Sequence, residues 1–368
     1  MEFRFIKEAS YLYDLMQLPR LFHMDENEEA EKLDLQMPDY KQLIRNVKRD
    51  LFELSHLFDP YYSNEVNSGY HFAHLVIEAY PLTNYASFEA YFNHLLNQTH
   101  EALLSHLIIS IIANDNDHHK PMDEYIREAK SYADHQDKLI ELVKALPTEE
   151  AYRWKLLLIL NDPRAHIKAF MEALLEIKPY FDEVYQTYES LIVRTGQNIV
   201  KTFNEGQEDG FIDLTQGVIP ISYLSEVNDI YVSFVMPYQM SMQIFHETNY
   251  FVWGLHMDEG FKKLKEDRED QVNKRTQMFK LLGDKTRFEV LKLIASKEYS
   301  TKKIAQALDV SSATISYHIN AFVTADILKI GELKGKNYLI NYEMLDAMWE
   351  SFKEDLQTQA LIQNKQEG

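Results

Sequence analysis

Short polar side chains cluster near the C-terminus: Ser311, Ser312, Thr314, Ser316 and Asn320, interleaved with Tyr317 and His318. Lys302 and Lys303 precede them, and Lys334, Lys336 and Asn337 follow on a Gly- and Lys-bearing stretch. Hydroxyls and amides of this size can donate to and accept from base edges where a helix backbone runs close to the major groove. Lysines meet phosphates, which positions a protein on a duplex without reading it. Ser311 and Ser312 stand where helix N–H groups would point at an anion. The ligand this chemistry implies is double-stranded DNA. Tyr317 and His318 suit base contact, phosphate contact or packing, and Lys302 and Lys303 suit phosphate contact or plain solvation. The same segment turned to protein contact is the competing reading; the lysines and short polar groups favour DNA.

Four helices and a hairpin must position these groups. Gln271–Leu282 is helical in pattern, and Gly283 stops it. Asp284 can cap Lys285–Ala295, whose inward face is Phe288, Leu291 and Ile294. Ser300 or Thr301 opens Lys302–Leu308, with Ile304, Ala305 and Leu308 inward. Asp309-Val310-Ser311 forms a tight turn, with Asp309 suited to a left-handed conformation. Ser312–Ala325 then buries Ile315, Ile319, Phe322 and Val323 and turns Ala313, Thr314, Ser316, Tyr317, His318 and Asn320 outward. Ile327–Ile330 and Tyr338–Tyr342 read as strands of a wing with Lys334 and Lys336 at its tip. A last amphipathic helix runs over Tyr342–Gln359 through Leu345, Met348, Trp349, Phe352 and Leu356.

Phe279–Ile294, the Ser312-Ala-Thr-Ile-Ser-Tyr-His-Ile helix and the hairpin, in that order, resemble the winged helix-turn-helix of the ArsR (arsenical-resistance) family of bacterial regulators. The resemblance covers roughly residues 272–350. It implies a homodimer joined through Gln271–Leu282 and a C-terminal helix within 342–363, and repression relieved by an effector. The family's metal sensors carry a Cys-x-Cys pair on the third helix. Here that helix reads Ile304-Ala305-Gln306-Ala307-Leu308, and the chain has no cysteine, so thiolate metal sensing is excluded.

The other three quarters of the chain point to a different kind of unit. Net charge is −20 overall. Residues 272–368 hold 14 basic and 12 acidic side chains, whereas the remainder holds 24 and 46. An acidic body therefore carries a mildly basic head, and phosphates should approach only the head. Residues 1–265 read as a helical sensor or dimerisation domain, with helices over Asp39–Phe58, Tyr70–Tyr80, a long one from Ser87 past Leu107, Met122–Leu146, Thr148–Leu160 and Pro163–Phe203. The last is expected to break or kink near Pro179. A small antiparallel sheet is expected within about 211–257, on Asp229–Pro237, Met240–Phe245 and Tyr250–His256. The fold class is thus mainly α with a small β segment and a C-terminal winged helix-turn-helix.

His71, His74 and Glu78 share one helical face at metal-ligand spacing, but aromatic neighbours argue for packing, and no fourth ligand is evident. His118-His119 lies in an acidic loop and reads as solvated; His94, His100 and His106 smear around their helix. Tyr61, Tyr62, Tyr70, Tyr80, Tyr85, Phe88, Tyr91 and Phe92 could line an effector pocket, though core packing is the commoner use. Trp154 and Trp253 are expected in the core. Phosphate loops, nucleophile elbows and His-Glu-x-x-His are missing from the sequence, so neither an enzyme nor a cofactor is expected. The longest apolar run, Leu107–Ala113, is too short to span a bilayer, and a cytoplasmic setting is expected. The expectation is a dimeric, effector-responsive, sequence-specific repressor. Its alternative is a protein- or small-molecule-binding body, as in an activator or enzyme, with the winged helix as accessory.

Overall fold

A computed structural model describes residues 1–24, 38–62, 69–115, 121–216, 219, 221–243, 249–261, 271–296, 300–330, 338–350 and 352–353. It divides into two compact units, Met1–Phe261 and Lys262–Gly368. The chain is mainly α.

The first unit opens on a strand, β1 (Glu2–Phe5), and a helix, α1 (Lys7–Gln17). There follow α2 (Pro38–Asp50), α3 (Phe72–Ala79), α4 (Phe88–Leu96), α5 (His100–Asp115), α6 (Met122–Ala133), α7 (Gln136–Lys144) and α8 (Glu150–Asn161). The long α9 (Pro163–Thr215) precedes β2 (Val227–Ser233), β3 (Met240–Gln243) and β4 (Asn249–Gly254).

Polar side chains place the breaks. Ser87 Oγ caps α4 by accepting from Ala90 N at 3.1 Å. Thr99 Oγ1 accepts from Ala102 N at 3.1 Å, so the single long helix expected from Ser87 is two helices. Met122–Leu146 is likewise divided, between Ala133 and Gln136. Asp162 caps α9 through Ala165 N at 3.1 Å, with Pro163 in the first turn, where its missing N–H costs nothing. Pro179 lies inside α9 without a non-helical residue beside it. The break falls instead at Gln207, with φ 49° and ψ −129°. There the chain folds back, bringing the Phe211 ring 5.2 Å from Phe203. Gly210 permits the return, because a Cβ there would lie 2.5 Å from Thr202 O.

The sheet differs from the expected antiparallel one. Its order is β1-β2-β4-β3, with β1–β2 and β2–β4 parallel and β3–β4 antiparallel. β4 is buried at every residue and β2 at all but its first. Strands covered on both faces carry apolar runs instead of alternation, and the runs in β2 and β4 are that pattern. The N-terminal strand escaped the sequence reading, and the sheet's central part begins at Val227, not near 211. Asn204 completes the free edge of β1: its Oδ1 accepts from Phe3 N and its Nδ2 donates to Phe3 O, both at 2.9 Å.

α1 is fastened to β2 by two buried polar side chains. Ser10 Oγ accepts from Val232 N and donates to Ile6 O, each at 2.9 Å. Asp14 accepts from Ser233 Oγ, from Phe234 N at 3.0 Å and from Val235 N at 3.4 Å. The aromatic residues of the body are mostly core: Tyr61, Tyr62, Tyr70, Tyr80, Phe88, Tyr91 and Phe92 are buried, and Tyr85 is half-buried. Phe170 gathers Tyr61 at 4.9 Å and Phe72 at 5.5 Å between ring centroids. Trp253 is fully buried, but Trp154 is 62% exposed. α8 buries Tyr152, Leu156, Ile159 and Leu160, and position 154 points away from that stripe.

Burial pushes the Asp14 carboxyl up from 3.8 to about 7, outweighing three donors that favour the anion. Folding therefore takes up a proton at Asp14. Its contribution to stability is full below the unfolded value of 3.8 and is lost as pH rises through about 7. Asp14→Asn should flatten that part of the slope between about pH 5 and pH 8, read by urea denaturation at each pH. An unchanged slope would show that Asp14 does not titrate with folding.

Candidate nucleic-acid interface

The second unit contains α10 (Gln271–Gly283), α11 (Lys285–Ala295), α12 (Thr301–Leu308), α13 (Ser312–Thr324), β5 (Leu328–Ile330), β6 (Tyr338–Ile340) and a helix over 342–350, α14. Its core is Met278, Val290, Leu291, Ile294, Ile304, Ala305, Ile315, Ile319, Phe322, Ile327 and Leu328. Ala305 is 5% exposed, its small side chain suiting close approach of α12 to α13. Phe288, expected inward, is half exposed, and Val290 takes the buried position instead.

Caps and left-handed residues set the helix directions. Asp284 Oδ1 accepts from Arg287 N at 2.8 Å, which starts α11. Ser311 Oγ accepts from Thr314 N at 3.0 Å, which starts α13, and shares a hydrogen bond with Thr314 Oγ1 at 2.8 Å. Ser300 precedes α12 without a side-chain cap bond. Asp309 adopts φ 55° and ψ 46°, and Val310 N closes the turn on Ala305 O at 3.1 Å. Asp326 repeats the device after α13 at φ 58°, with Ile327 N on Phe322 O at 2.8 Å.

β5 and β6 pair antiparallel, Leu328 opposite Ile340 and Ile330 opposite Tyr338, as a wing requires. Asn341 locks its base. Nδ2 donates to Asp326 O at 3.0 Å, and Oδ1 accepts from Met344 N at 3.3 Å in the first turn of α14. Lys334, Lys336 and Asn337, the expected wing-tip contacts, lie outside the described residues, as does 354–363 of the expected C-terminal helix.

Along α13, Ser316, Tyr317 and Asn320 are exposed together on one side, whereas Ser312 and Thr314 are half-buried. Ser311 is exposed at the helix start; on α12, Lys303 is exposed and Lys302 half-buried. His318 does not belong to the outward row. It is buried at 9% exposure, and its Nδ1 accepts from Arg287 Nε at 3.3 Å. Burial first, and then the Arg287 charge, hold the imidazole below its ordinary 6.5, with Asp284 opposing. Arg287 is the residue that sequence reasoning missed. Its place three residues after the Asp284 cap was visible, but its partner lies on another helix.

Among the described residues, no group of three His, Asp or Glu side chains is placed to hold a metal. His74 Nε2 pairs with Glu78 Oε1 at 3.0 Å, and Glu78 Oε2 accepts from Asn114 Nδ2 at 2.9 Å. His71 is buried against the Tyr62 ring at 5.8 Å. His118 and His119 lie outside the described residues. No described helix is long and apolar enough to cross a membrane.

A family model described as a helix-turn-helix domain matches residues 282–330, from the end of α10 through β5. No curated protein and no solved structure matches the chain. The matched segment and the paired wing strands together make the second unit a winged helix-turn-helix, a DNA-binding domain of regulatory type.

Asp309→Ala should cost the head about 1 kcal/mol through its left-handed backbone, whereas Asp309→Gly should be close to neutral. Ser311→Ala should cost about 1 kcal/mol by removing the α13 cap. Thermal denaturation of the three variants checks both statements; equal loss for Ala and Gly at 309 would contradict the turn argument.

Proposed function

We propose that this chain is a sequence-specific DNA-binding transcriptional regulator, acting as a homodimeric repressor whose grip on DNA is set by an effector at the N-terminal body. The observation that carries it is the outward row of Ser316, Tyr317 and Asn320 on α13, backed by the buried Ile315, Ile319 and Phe322. Such a row can meet base edges while the N-terminus of α13, near Ser311, Ser312 and Thr314, faces phosphate. Lys302, Lys303, Lys334, Lys336 and Asn337 are the assigned backbone contacts. His318 is withdrawn from that set, since its imidazole is engaged inside the head.

Dimerisation is supported by aromatic groups left at the surface of the head. Phe279 on α10 and Trp349 on α14 are 37% and 50% exposed. Both bracket the Phe352 ring, at 4.9 Å and 5.7 Å between centroids. A two-fold contact across α10 and α14 would cover them and hold two α13 helices one duplex turn apart. The resemblance to ArsR-type regulators supports repression and effector control, in a cytoplasmic setting. The reading assigns the chain no catalysis and no cofactor. A second reading, a body that docks a protein partner, is favoured by Trp154 and Leu158, which stand one helical turn apart on α8, each 62% exposed.

Selection of duplexes from a random pool by the full chain tests the reading. Ser316→Ala and Asn320→Ala should flatten the preference at one base step each, by about 1–3 kcal/mol. Lys336→Ala should weaken selected and random duplexes alike and lower the salt slope by about one. Equal losses on both duplexes for all three variants would refute this division of roles. Trp349→Glu should convert the dimer to monomer in sedimentation equilibrium; an unchanged mass would remove α14 from the interface.

A further inference from the structure

Three side chains from two helices meet behind the outward row of α13. Arg287 Nε, on the first turn of α11, donates to His318 Nδ1 at 3.3 Å. The same guanidinium lies 5.9 Å from the centre of the Tyr317 ring, and the Tyr317 and His318 rings are 5.6 Å apart. Tyr317 is 48% exposed, so its inner edge rests on this pair while its outer part faces solvent. The Arg287 backbone is itself held by the Asp284 cap.

A guanidinium carries only donors. The bond therefore requires a bare Nδ1 and places the imidazole proton on Nε2. A protonated His318 has no acceptor left, and it sets one cation against another. Arg287 must then move away, and Tyr317 loses the group that its ring lies against.

We propose that Arg287 is a positioning residue for Tyr317 in the DNA-reading helix, and that it holds its place only while His318 is neutral. This rests on the reading of α13 as the groove-facing helix. The charged groups acting on His318 are Arg287 on α11 and Asp284, the residue that caps it. α13 itself carries no Asp, Glu, Lys or Arg. Lys302 and Lys303 of α12 are not among the groups that shift it, and Lys329 of β5 is turned to Glu343 at 3.5 Å. Burial and Arg287 lower its proton affinity relative to the unfolded chain, so the neutral form is favoured by folding. The arrangement is intact above the ordinary imidazole value of 6.5 and is lost as pH falls through the lower value that His318 has in the folded head. The direction is diagnostic, because added positive charge on a DNA-binding surface ordinarily strengthens binding in acid.

The test uses the full-length chain and the duplex it selects from a random pool at about pH 7.5, with salt held constant. His318→Asn places an amide oxygen near the former Nδ1 and does not titrate. Far-UV circular dichroism at each pH gives the folded fraction, so affinity is read per folded molecule. Between about pH 7.5 and pH 5.5, the wild type should lose affinity that His318→Asn keeps, by less than about tenfold because folding holds the imidazole below 6.5. Arg287→Gln should bind the selected duplex more weakly at both pH values and lose the difference between them. Parallel pH profiles for wild type and His318→Asn, or wild-type affinity in Arg287→Gln, would overturn the proposal and leave the DNA-reading function standing. A pool that never converges would overturn both.

Discussion

Ile315, Ile319 and Phe322 are withdrawn from solvent in one cluster with Ile294 from α11, Ile304 and Ala305 from α12, and Ile327 and Leu328 from the wing. Each large apolar side chain buried there contributes about 1.5–3 kcal/mol, and together they permit one rotation of α13 about its own axis. Turning the helix by one residue, about 100°, would carry Ser316 and Asn320 into the buried places that Ile315 and Ile319 now fill. What α13 presents outward is thus decided by what it buries. The caps and turns at Asp284, Asp309, Ser311 and Asp326 then set where the helix begins and ends around that buried face.

The body is built on a different economy. Its interior is aromatic, and the hydroxyls of Tyr40, Tyr62, Tyr91 and Tyr152 bond to backbone carbonyls. Tyr152 OH donates towards Tyr61 O and Tyr70 O, each at 3.1 Å, and accepts from Phe72 N at 2.9 Å. Tyr91 OH reaches Tyr80 O at 3.0 Å. A tyrosine used in this way is a rigid strut that ties irregular segments together. The apolar effector pocket raised by the aromatic content of the sequence finds little support in this packing. Asp14, where α1 meets the turn after β2, is the more consequential polar group of the body.

Local signals in the head were readable because they are short in range. A cap and the N–H it satisfies lie three residues apart, as Asp284 with Arg287 and Ser311 with Thr314 show. The left-handed tolerance of Asp309 belongs to that residue alone. In the body the same logic located the helix starts at Ser87 and Pro163, yet it ran one helix through Thr99 and put a kink at Pro179 instead of Gln207. A proline within a long helix can be accommodated by its surroundings. The reversal at Gly206-Gln207 answers to packing of Phe211 on Phe203, which no local window contains.

The winged helix-turn-helix, the acidic body with its mildly basic head and the lack of cysteine thiols are legible along the chain. These depend on composition, periodicity and neighbours within a few positions. Tertiary structure alone decided that the N-terminal strand joins a mixed sheet over two hundred residues away, that Trp154 faces solvent, and that His318 turns inward to Arg287. The reason is that strand pairing and buried hydrogen bonds are contacts between distant segments. Their partners are chosen by how whole elements pack, and a histidine on a helix carries no mark of whether a guanidinium from the next helix will meet it.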